Sequence, residues 1–402
     1  MYLDPVLGPR RRRQSSPRRV IVLLVLILAG LLFLSRRERI VQPFVPTPTP
    51  TPGAFVYAQQ ALLAYEDGNL QNAIAFYRGA IRMEPDDPAY RIPLSRLLIL
   101  TGDPESALEE AEKAVELSPT SARALAALCQ AQDWNGQAEE AIETCRRAID
   151  LDPTYAEAHA YLAEAYADSI LNGDYTASWG RAVQEAERAV ELDPRSVDAY
   201  RNLGYVWNSQ GYYQLSNDYY EKAIELHPKL SFLYVQMAVN YRALIAYHAN
   251  RAEYALAETS YRNAVTNLEQ ATTVDPQNAE AYEELGWLYY GNEQLSQAQE
   301  SLETAVEIEP DFARAWSRLG FTRFRRRNYE GAEEALQKAV ELGYDRIEAY
   351  YTLGLVLYYL ARCEEAMPYF NQALAIDPED TNALEGIRLC LEAEQGDAGQ
   401  AP

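Results

Sequence analysis

The 402-residue sequence has little of the chemistry on which most active sites depend. It contains three histidines, four cysteines and four lysines. Histidine and cysteine are common zinc ligands and catalytic groups, so their scarcity leaves few ways to build a metal or nucleophile site. The histidines, His159, His227 and His248, have no carboxylate or cysteine at ligand spacing. We therefore expect no metal site and no general base.

Known catalytic and nucleotide-binding motifs are also missing from the sequence. It has no glycine-rich phosphate loop, no Gly-x-Ser-x-Gly nucleophile elbow and no metalloprotease helix motif. Adjacent carboxylates are abundant, but we expect pairs such as Glu109–Glu110, Glu283–Glu284 and Glu333–Glu334 to lie on solvent faces of helices. These absences predict a protein that is not an enzyme, binds no cofactor and has no small-molecule substrate.

Positive charge is scarce outside the N-terminal segment. The formal net charge is −23, yet residues 1–52 hold nine arginines and only two acidic residues. Residues 53–402 therefore carry a net charge of −30. A body of this charge repels phosphate groups, which argues against nucleic-acid binding. Its partners are expected to be neutral or basic where they meet its outer face.

One long apolar run lies near the N-terminus. Residues 20–34 read VIVLLVLILAGLLFL, with Arg18–Arg19 before them and Arg36–Arg37 after them. As a helix this run spans about 22 Å, short of a ~30 Å hydrocarbon core, but the flanking arginines can reach the headgroups. We predict a transmembrane helix over residues 20–35. A cleaved signal peptide is an alternative, although no small-x-small cleavage site follows, and a peripheral or misread start is another.

Arginine counts predict the orientation of this helix. Six arginines precede the run and three follow it, which favours a cytoplasmic head at residues 1–19 and an extracytoplasmic body anchored in the cell membrane by a single pass. Residues 36–53 are rich in proline and threonine. Such a segment forms an extended linker between the helix and the body.

The body repeats one phrase, Ala-apolar-x-apolar-x-Pro. The phrase ends at residues 85, 119, 153, 194, 228, 276, 310 and 378, with Tyr344 in place of one further proline. Six of the eight intervals are 34 residues long, and the others are 41 and 48. Each period contains two amphipathic helical stripes, and the proline ends the second helix. Each helix pair is too small to bury its own apolar face, so the pairs must stack.

This pattern resembles the tetratricopeptide repeat. The family's order of large, Leu, Gly, aromatic, Ala, large, Ala and Pro residues is met by Tyr282, Leu285, Gly286, Tyr289, Ala298, Leu302, Ala305 and Pro310. The resemblance covers about residues 53–394 and is looser in the early repeats. It implies an all-α fold: a right-handed superhelical solenoid of about nine helix-turn-helix repeats over residues 54–378. A capping helix at 379–394 and a disordered tail at 395–402 would follow.

Two repeats are longer than the others. The 41-residue interval adds a loop around residues 169–180, where Gly, Asn and Asp are frequent. The 48-residue interval adds fourteen residues around 242–260 without a proline or glycine. Fourteen residues are close to four helical turns, which predicts two additional turns on each helix. The lengthened hairpin would protrude, either as a partner contact or as a tolerated insertion.

The cysteines fall at positions that could face one another. Cys129 occupies the glycine position of a first helix, and Cys145 occupies the aromatic position of its partner helix. Cys363 begins another second helix, and Cys390 lies in the capping helix. An extracytoplasmic location would permit two disulfides, Cys129–Cys145 and Cys363–Cys390, and buried free thiols are the alternative.

The geometry of the stripes indicates a binding surface. Counting position 1 as the third residue after each repeat proline, positions 4, 7, 8 and 11 form the core, so positions 5, 9 and 12 form the adjacent face of each first helix. In the tetratricopeptide family this face looks into the concave groove. Its aromatic side chains could hold a peptide, unless neighbouring repeats cover them. The candidate protein-binding residues are Arg201, Tyr205, Asn208, Trp287, Tyr290, Phe321, Phe324, Tyr351 and Tyr358.

Two further observations narrow the expected partner. The family's clamp for a chain-terminal carboxylate needs lysines in the groove, and none of the four lysines lies there. A basic island at Arg323 and residues 325–327 is expected either to pair with nearby glutamates or to meet an acidic partner. We predict a membrane-anchored module that binds a protein or peptide in the concave groove. The alternative is a scaffold or spacer in an envelope, secretion or pilus assembly, using the convex face or the 242–260 insertion.

Overall fold

The computed structural model describes residues 16–35, 53–173 and 178–398. These residues form twenty α-helices and no β-strand, which confirms the all-α expectation. The chain divides into two units, of which the first contains helix α1 and the second begins at residue 53.

Helix α1, Pro17–Ser35, covers the segment that was predicted to cross a membrane. None of the described helices is both long enough and apolar enough to span a bilayer. The predicted transmembrane helix is therefore not supported. Within α1 the uncharged run has fifteen residues, and Arg18 and Arg19 occupy the first turn. Most of the predicted head and almost all of the linker at 36–53 lie outside the described residues.

In its described residues, the second unit is a stack of nine helix pairs and one closing helix. Each pair consists of a first helix, a short turn and a second helix. The pairs are α2 (Ala54–Glu66) and α3 (Leu70–Met83), α4 (Pro88–Leu100) and α5 (Pro104–Leu117), α6 (Ala122–Trp134) and α7 (Ala138–Leu151), α8 (Ala156–Leu171) and α9 (Trp179–Leu192), α10 (Val197–Ser209) and α11 (Tyr213–Leu226), α12 (Ser231–Asn250) and α13 (Tyr254–Val274), α14 (Ala279–Gly291) and α15 (Leu295–Ile308), α16 (Ala313–Arg325) and α17 (Tyr329–Glu341), and α18 (Ile347–Tyr359) and α19 (Cys363–Ile376).

The closing helix α20, Thr381–Ala398, runs beyond residue 394, where the sequence predicted its end. Leu391 to Gln395 reads LEAEQ, and these residues are good helix formers.

Small residues set the spacing within each pair. A Cβ atom added to Gly320 would lie 2.5 Å from Cγ of Leu336, and one added to Gly286 would lie 2.6 Å from Cγ of Leu302. Both glycines occupy position 8 of a first helix, and the large residue follows sixteen positions later in the second helix. A larger residue at position 8 would push the two helices apart.

The lengthened hairpin has the form that its sequence predicts. Helices α12 and α13 have 20 and 21 residues, whereas the other first and second helices mostly have 13 and 14. Each helix has thus gained about two turns. Tyr247, Tyr254 and Leu256 near the tip of this hairpin are all more than half exposed. In the 41-residue repeat, α8 continues to Leu171, and residues 174–177 of the expected loop lie outside the described part of the chain.

The stack curves so strongly that distant repeats touch. The ammonium group of Lys229, before α12, lies 2.8 Å from the carboxylate of Asp67, at the end of α2. Arg96 of α4 pairs with Asp198 of α10, with Nε and Oδ2 2.8 Å apart. Because these contacts join first helices or their ends, the first helices between them surround a common space.

Candidate binding surface of the first helices

The space enclosed by the first helices is a cavity of about 590 Å³. Its walls come from α4, α6, α8, α10, α12 and α14, with one residue from α11. Polar and charged side chains gather on one side of it. They are Asp133, Glu164, Asp168, Arg201 and Tyr205, beside the indole of Trp134.

Arg201 and Glu164 form a buried ion pair between consecutive first helices. The Nη1 atom of Arg201 donates to Oε1 of Glu164 at 3.1 Å, and Nη2 donates to Oε2 at 2.6 Å. Their side chains are only 8% and 3% exposed. Trp134 also donates its indole N–H to Oε1 of Glu164, at 3.2 Å. Glu164 is therefore fully engaged by protein donors.

Asp133 and Asp168 stand in the same pocket without a cationic hydrogen-bond partner. Both oxygens of the Asp133 carboxyl lack a hydrogen bond, although the residue is only 4% exposed. Burial raises the pKa of Asp133 well above its usual value, and nearby Asp168 and Glu164 add to this rise. Asp168 accepts a hydrogen bond from the hydroxyl of Tyr205. Burial nevertheless raises the pKa of Asp168 to about 6.

The first three predicted groove residues make polar contacts with neighbouring first helices. Arg201 is buried and Tyr205 is partly buried, and both line the cavity. Asn208 is partly buried and donates through its side-chain amide to Asn240 of α12. The structure brings Arg201 and Tyr205 together with the carboxylates and places Asn208 at the edge of the next repeat.

Trp287 and Tyr290 form a separate aromatic site on α14. Their rings are stacked with centroids 4.8 Å apart and planes 8° apart. The guanidinium carbon of Arg318 lies 4.7 Å from the Trp287 ring centroid, and that of Arg325 lies 5.1 Å from the Tyr290 ring centroid. Both aromatic residues are partly exposed. The two rings are therefore stacked on each other, an arginine lies over each of them, and the rest of each ring is accessible.

The carboxylates of Glu283 and Glu284 correct one expectation. They were predicted on a solvent face, but they are 0% and 3% exposed. Arg318 Nη1 lies 2.6 Å from Glu283 Oε1, and Arg314 Nη2 lies 2.9 Å from its Oε2. Burial raises the pKa of Glu283 to about 7, although Arg318 and Arg314 oppose the rise. The expectation failed because Glu283 is at position 5, which faces the inside of the curved stack.

The remaining aromatic residues lie on α16 and α18. Phe321, Phe324, Tyr351 and Tyr358 are partly buried against the core of the last repeats. Phe324 lies 6.0 Å from the ring of Tyr359, which is 52% exposed. Neighbouring repeats therefore cover part of these rings and leave part of them accessible.

Two of the four arginines of the basic island pair with glutamates of the chain. Arg323 Nη2 lies 3.1 Å from Glu303, and Arg323 Nη1 lies 3.7 Å from Glu334. Arg325 Nη2 lies 3.2 Å from Glu293. These partners lie on the same repeat and on the repeat before it, so the arginines connect neighbouring helices.

The histidines occupy structural positions. His159 is buried, with Nδ1 2.6 Å from Glu185 and Nε2 3.2 Å from the carbonyl oxygen of Pro153. His227 packs edge-on against Tyr65, and His248 pairs with Glu253 at 2.7 Å. Across the described ranges, no group of three or more His, Cys, Asp or Glu side chains is arranged to hold a metal ion.

All four cysteines are joined in pairs. Cys129 of α6 is bonded to Cys145 of α7, and Cys363 of α19 is bonded to Cys390 of α20. The sequence left disulfides and free thiols open at both places. Cys129 is at position 8, so its bond to Cys145 stands where Gly320 meets Leu336 in a later repeat.

Sequence reasoning missed the carboxylates of the cavity. Asp133 is at position 12 and Glu164 is at position 9, and both positions belong to the face from which the candidate residues were chosen. Applying the position rule to repeats three and four would have found them. They were overlooked because the search followed aromatic residues and treated acidic residues as solvent-exposed.

Comparison with known proteins agrees with the helix pairs. Models of the tetratricopeptide repeat match residues 64–128, 98–165, 175–231, 255–317 and 311–379, together more than half of the chain. A search of curated proteins gives no match.

Solved structures of low sequence identity share this arrangement of helices. The Cut9–Hcn1 hetero-tetramer of the APC/C gives a TM-score of 0.54 at 14% identity, covering 92% of this chain and 82% of that chain. The human IFIT1 dimer with m7Gppp-AAAA gives 0.54 at 16% identity, covering 89% and 88%. At these identities the likeness concerns the fold alone.

Proposed function

Since the chain belongs to the tetratricopeptide repeat family, whose members generally bind protein or peptide partners, we propose that it is an interaction scaffold whose partner docks along the first helices. The observation that carries the proposal is the aromatic surface of repeats seven to nine. It consists of the stacked pair Trp287 and Tyr290, followed by Phe321, Phe324, Tyr351 and Tyr358. Partly exposed rings on successive first helices supply contact area with few rotatable bonds, which suits an extended or helical peptide.

The proposal does not include catalysis or nucleic-acid binding. The described part of the second unit consists of the repeats and the closing helix, and the sequence contains no glycine-rich phosphate loop, nucleophile elbow or metalloprotease helix motif. The net charge of −30 beyond residue 52 disfavours an approach by phosphate groups. A protein surface that is neutral or basic would meet no such penalty.

The aromatic surface can be tested by affinity capture from the native host. The full-length Trp287→Ala, Phe321→Ala, Tyr358→Ala variant should recover much less of the partner that the wild type recovers. A matched control is Tyr247→Ala, Tyr254→Ala, Leu256→Ala at the tip of the lengthened hairpin, which should recover the partner normally. Circular dichroism checks that both variants keep their helices. Unchanged recovery by the first variant would refute the assignment of the groove.

A second candidate surface is the tip of the α12–α13 hairpin. Tyr254 is 71% exposed, and Tyr247 and Leu256 are each about half exposed. This apolar tip favours the alternative in which the chain is a structural scaffold or spacer of an envelope, secretion or pilus assembly. The same two variants decide between the surfaces, because loss of the partner with the hairpin variant alone would select the tip.

We also propose that the repeat unit lies outside the cytoplasm. Two disulfides support this location, because such bonds persist in oxidising compartments and are rare in the cytosol. The apolar segment at residues 20–34 is then an export signal, and the proposal requires no membrane-spanning helix. Protease added to intact cells or spheroplasts should degrade the repeat unit, and full protection in cells that degrade an exported control would contradict the location.

A further inference from the structure

The cavity between the first helices has an unbalanced charge. Its lining includes the carboxyl groups of Asp133, Glu164, Asp168 and Glu280, and its only lining cation among the described residues is Arg201. Arg201 is committed to Glu164 through two hydrogen bonds. Glu280 lies 3.8 Å from Arg314, whereas Asp133 and Asp168 have no cationic hydrogen-bond partner among the described residues.

Asp133 is a buried carboxyl group of the cavity lining for which the described residues supply no hydrogen-bond partner. It lies at the end of α6, is 4% exposed, and neither of its oxygens has a hydrogen-bond partner. Buried polar groups are nearly always satisfied, because an unmade hydrogen bond costs free energy. An unsatisfied carboxyl group in the wall of an open cavity is suited to a donor that arrives from outside.

The surroundings of Asp133 suit an organic cation. Asp168 lines the same cavity, and one of its carboxylate oxygens accepts a hydrogen bond from the hydroxyl of Tyr205. Trp134, Tyr205 and Phe232 add aromatic rings to the wall, and such rings attract guanidinium and ammonium groups. An anion would be repelled, and an apolar side chain would leave the carboxyl groups without partners.

We propose that this cavity binds the guanidinium or ammonium tip of an arginine or lysine side chain of a polypeptide partner, with Asp133 as its principal carboxylate. The proposal rests on the proposed function in one respect, namely that the partner's backbone runs along the first helices. Asp133, Glu164, Asp168, Arg201 and Tyr205 of the pocket lie in repeats three to five, whereas the aromatic surface lies in repeats seven to nine. The two can therefore fail separately.

A pair of peptides tests the charge requirement. One blocked heptapeptide of glycine and serine carries a central arginine, and the other carries citrulline, which has nearly the same shape without the charge. Isothermal titration with the full-length protein in detergent should show the arginine peptide binding at least about tenfold more tightly. Equal binding of both peptides, or no binding in the millimolar range, overturns the proposal.

Variants locate the site. Asp133→Asn keeps the shape and removes the charge, so it should weaken binding of the arginine peptide by at least about tenfold. The matched control Glu109→Gln removes an exposed carboxylate from the second helix α5 and should leave binding unchanged. Circular dichroism confirms that both variants are folded. Undiminished binding by Asp133→Asn contradicts the assignment.

Two other ligands test whether the site is specific for a polypeptide side chain, as opposed to a small organic cation or a metal ion. Free argininamide should bind more weakly than the arginine peptide, because it makes no backbone contact; equal affinity would identify a small-amine site and overturn the polypeptide assignment. Calcium ions should not compete with the peptide, and competition would identify a metal site instead.

Proton release on binding distinguishes a carboxylate that contacts the ligand from one that only supports the fold. If Asp133 were only structural, its substitution would not change the number of protons released. In the free protein, Glu164 and Asp168 of α8 and Arg201 and Tyr205 of α10 are the titratable groups of this cluster beside Asp133. A bound cation favours the ionised carboxylate, so binding should release protons and tighten as pH rises from 5 to 7. Titrations in buffers of different ionisation enthalpy measure this release. No proton release, or undiminished release in Asp133→Asn, would contradict the role of Asp133, since Asp168 can release only its own share.

One variant shows whether a failure concerns the cation pocket or the proposed function. The Trp287→Ala, Phe321→Ala, Tyr358→Ala variant should bind the arginine peptide normally while it loses the cellular partner. Loss of peptide binding in that variant would show that the two surfaces are not independent and would overturn the assignment to repeats three to five.

Discussion

Arg201 donates two hydrogen bonds to Glu164, which lies in the preceding repeat. The residues are 37 positions apart in sequence, and their side chains are 8% and 3% exposed. A buried pair of this kind depends on both members, because removing one leaves the other charged and desolvated. Its geometry also fixes the wall of the cavity in which Asp133 lies.

Breaking this pair should destabilise the repeat array. We expect Arg201→Met to lower the free energy of unfolding by about 3 to 5 kcal/mol, since Glu164 would remain buried without its cation. Urea denaturation followed by circular dichroism measures the change. The double variant Glu164→Leu, Arg201→Met should lose much less than Arg201→Met alone, because no buried charge is left.

An exposed ion pair provides the control. Lys222 and Glu225 also lie close together, but their side chains are 53% and 58% exposed. Lys222→Met should leave the denaturation midpoint unchanged. If Arg201→Met behaves like Lys222→Met, the buried pair does not contribute to stability as proposed.

Asp133→Asn should stabilise the protein in a pH-dependent way. The pKa of Asp133 is raised in the folded state above the ordinary 3.8, so the folded protein favours the protonated form. The contribution of Asp133 is therefore fully present below about pH 4 and is lost as pH rises through the raised pKa. Asparagine cannot ionise and avoids this loss.

The measurement is thermal unfolding of both proteins between pH 4 and pH 8. At pH 8 the variant should be more stable by about 1 to 3 kcal/mol, the cost of a buried group without partners. Near pH 4 the two proteins should unfold alike. A difference that stays constant with pH would mean that Asp133 keeps one protonation state throughout.

The Cys129–Cys145 disulfide should contribute to stability. It closes a sequence separation of 16 residues within one helix pair, and removing it with Cys129→Ala, Cys145→Ala should cost about 2 to 4 kcal/mol. Urea denaturation measures the cost. Thiol titration of the unfolded wild type without reductant should find no free thiol, and four free thiols would contradict both bonds.

The turn between the two helices of a pair offers a test of backbone strain. Gly68, Gly102, Gly136 and Gly211 have positive φ there, and Ala361 adopts the same conformation with φ of 57°. The Cβ atom of a residue other than glycine makes this conformation unfavourable. Ala361→Gly should therefore stabilise the protein by about 1 kcal/mol.

The reverse substitution is the matched control. No heavy atom lies within 4 Å of a Cβ built on Gly102, so Gly102→Ala changes only the backbone preference. It should destabilise the protein by about 1 kcal/mol in the same urea experiment. Opposite signs for Ala361→Gly and Gly102→Ala are required, and equal signs would rule out strain as the cause.

Periodicity made the fold predictable because it reports local rules. The helix pairs, the proline stops and the two additional turns on α12 and α13 all follow from patterns within one 34-residue period. Cys129 and Cys145 were recognised as facing positions by the same rule, which Gly320 and Leu336 obey in a later repeat. Whether those cysteines were bonded depended on a distance that the pattern does not contain.

The site was less predictable because it depends on curvature. The position rule selected Arg201 and Trp287, but it could not show that Arg201 is occupied by Glu164 or that Trp287 is covered by Arg318. Glu283 was expected in solvent and is fully buried. Each of these contacts joins residues of consecutive repeats, and their distances depend on the angle between the repeats.

The sequence by itself determined the helices, their pairing and the face that each first helix turns inward, because these depend on contacts within one or two periods. Only the tertiary structure decided how tightly the stack curves. That curvature brings Lys229 to Asp67 and Arg96 to Asp198, and it buries Asp133 in the wall of a cavity. A carboxyl group that the sequence presents as one of 59 acidic residues thereby becomes a buried group without a partner.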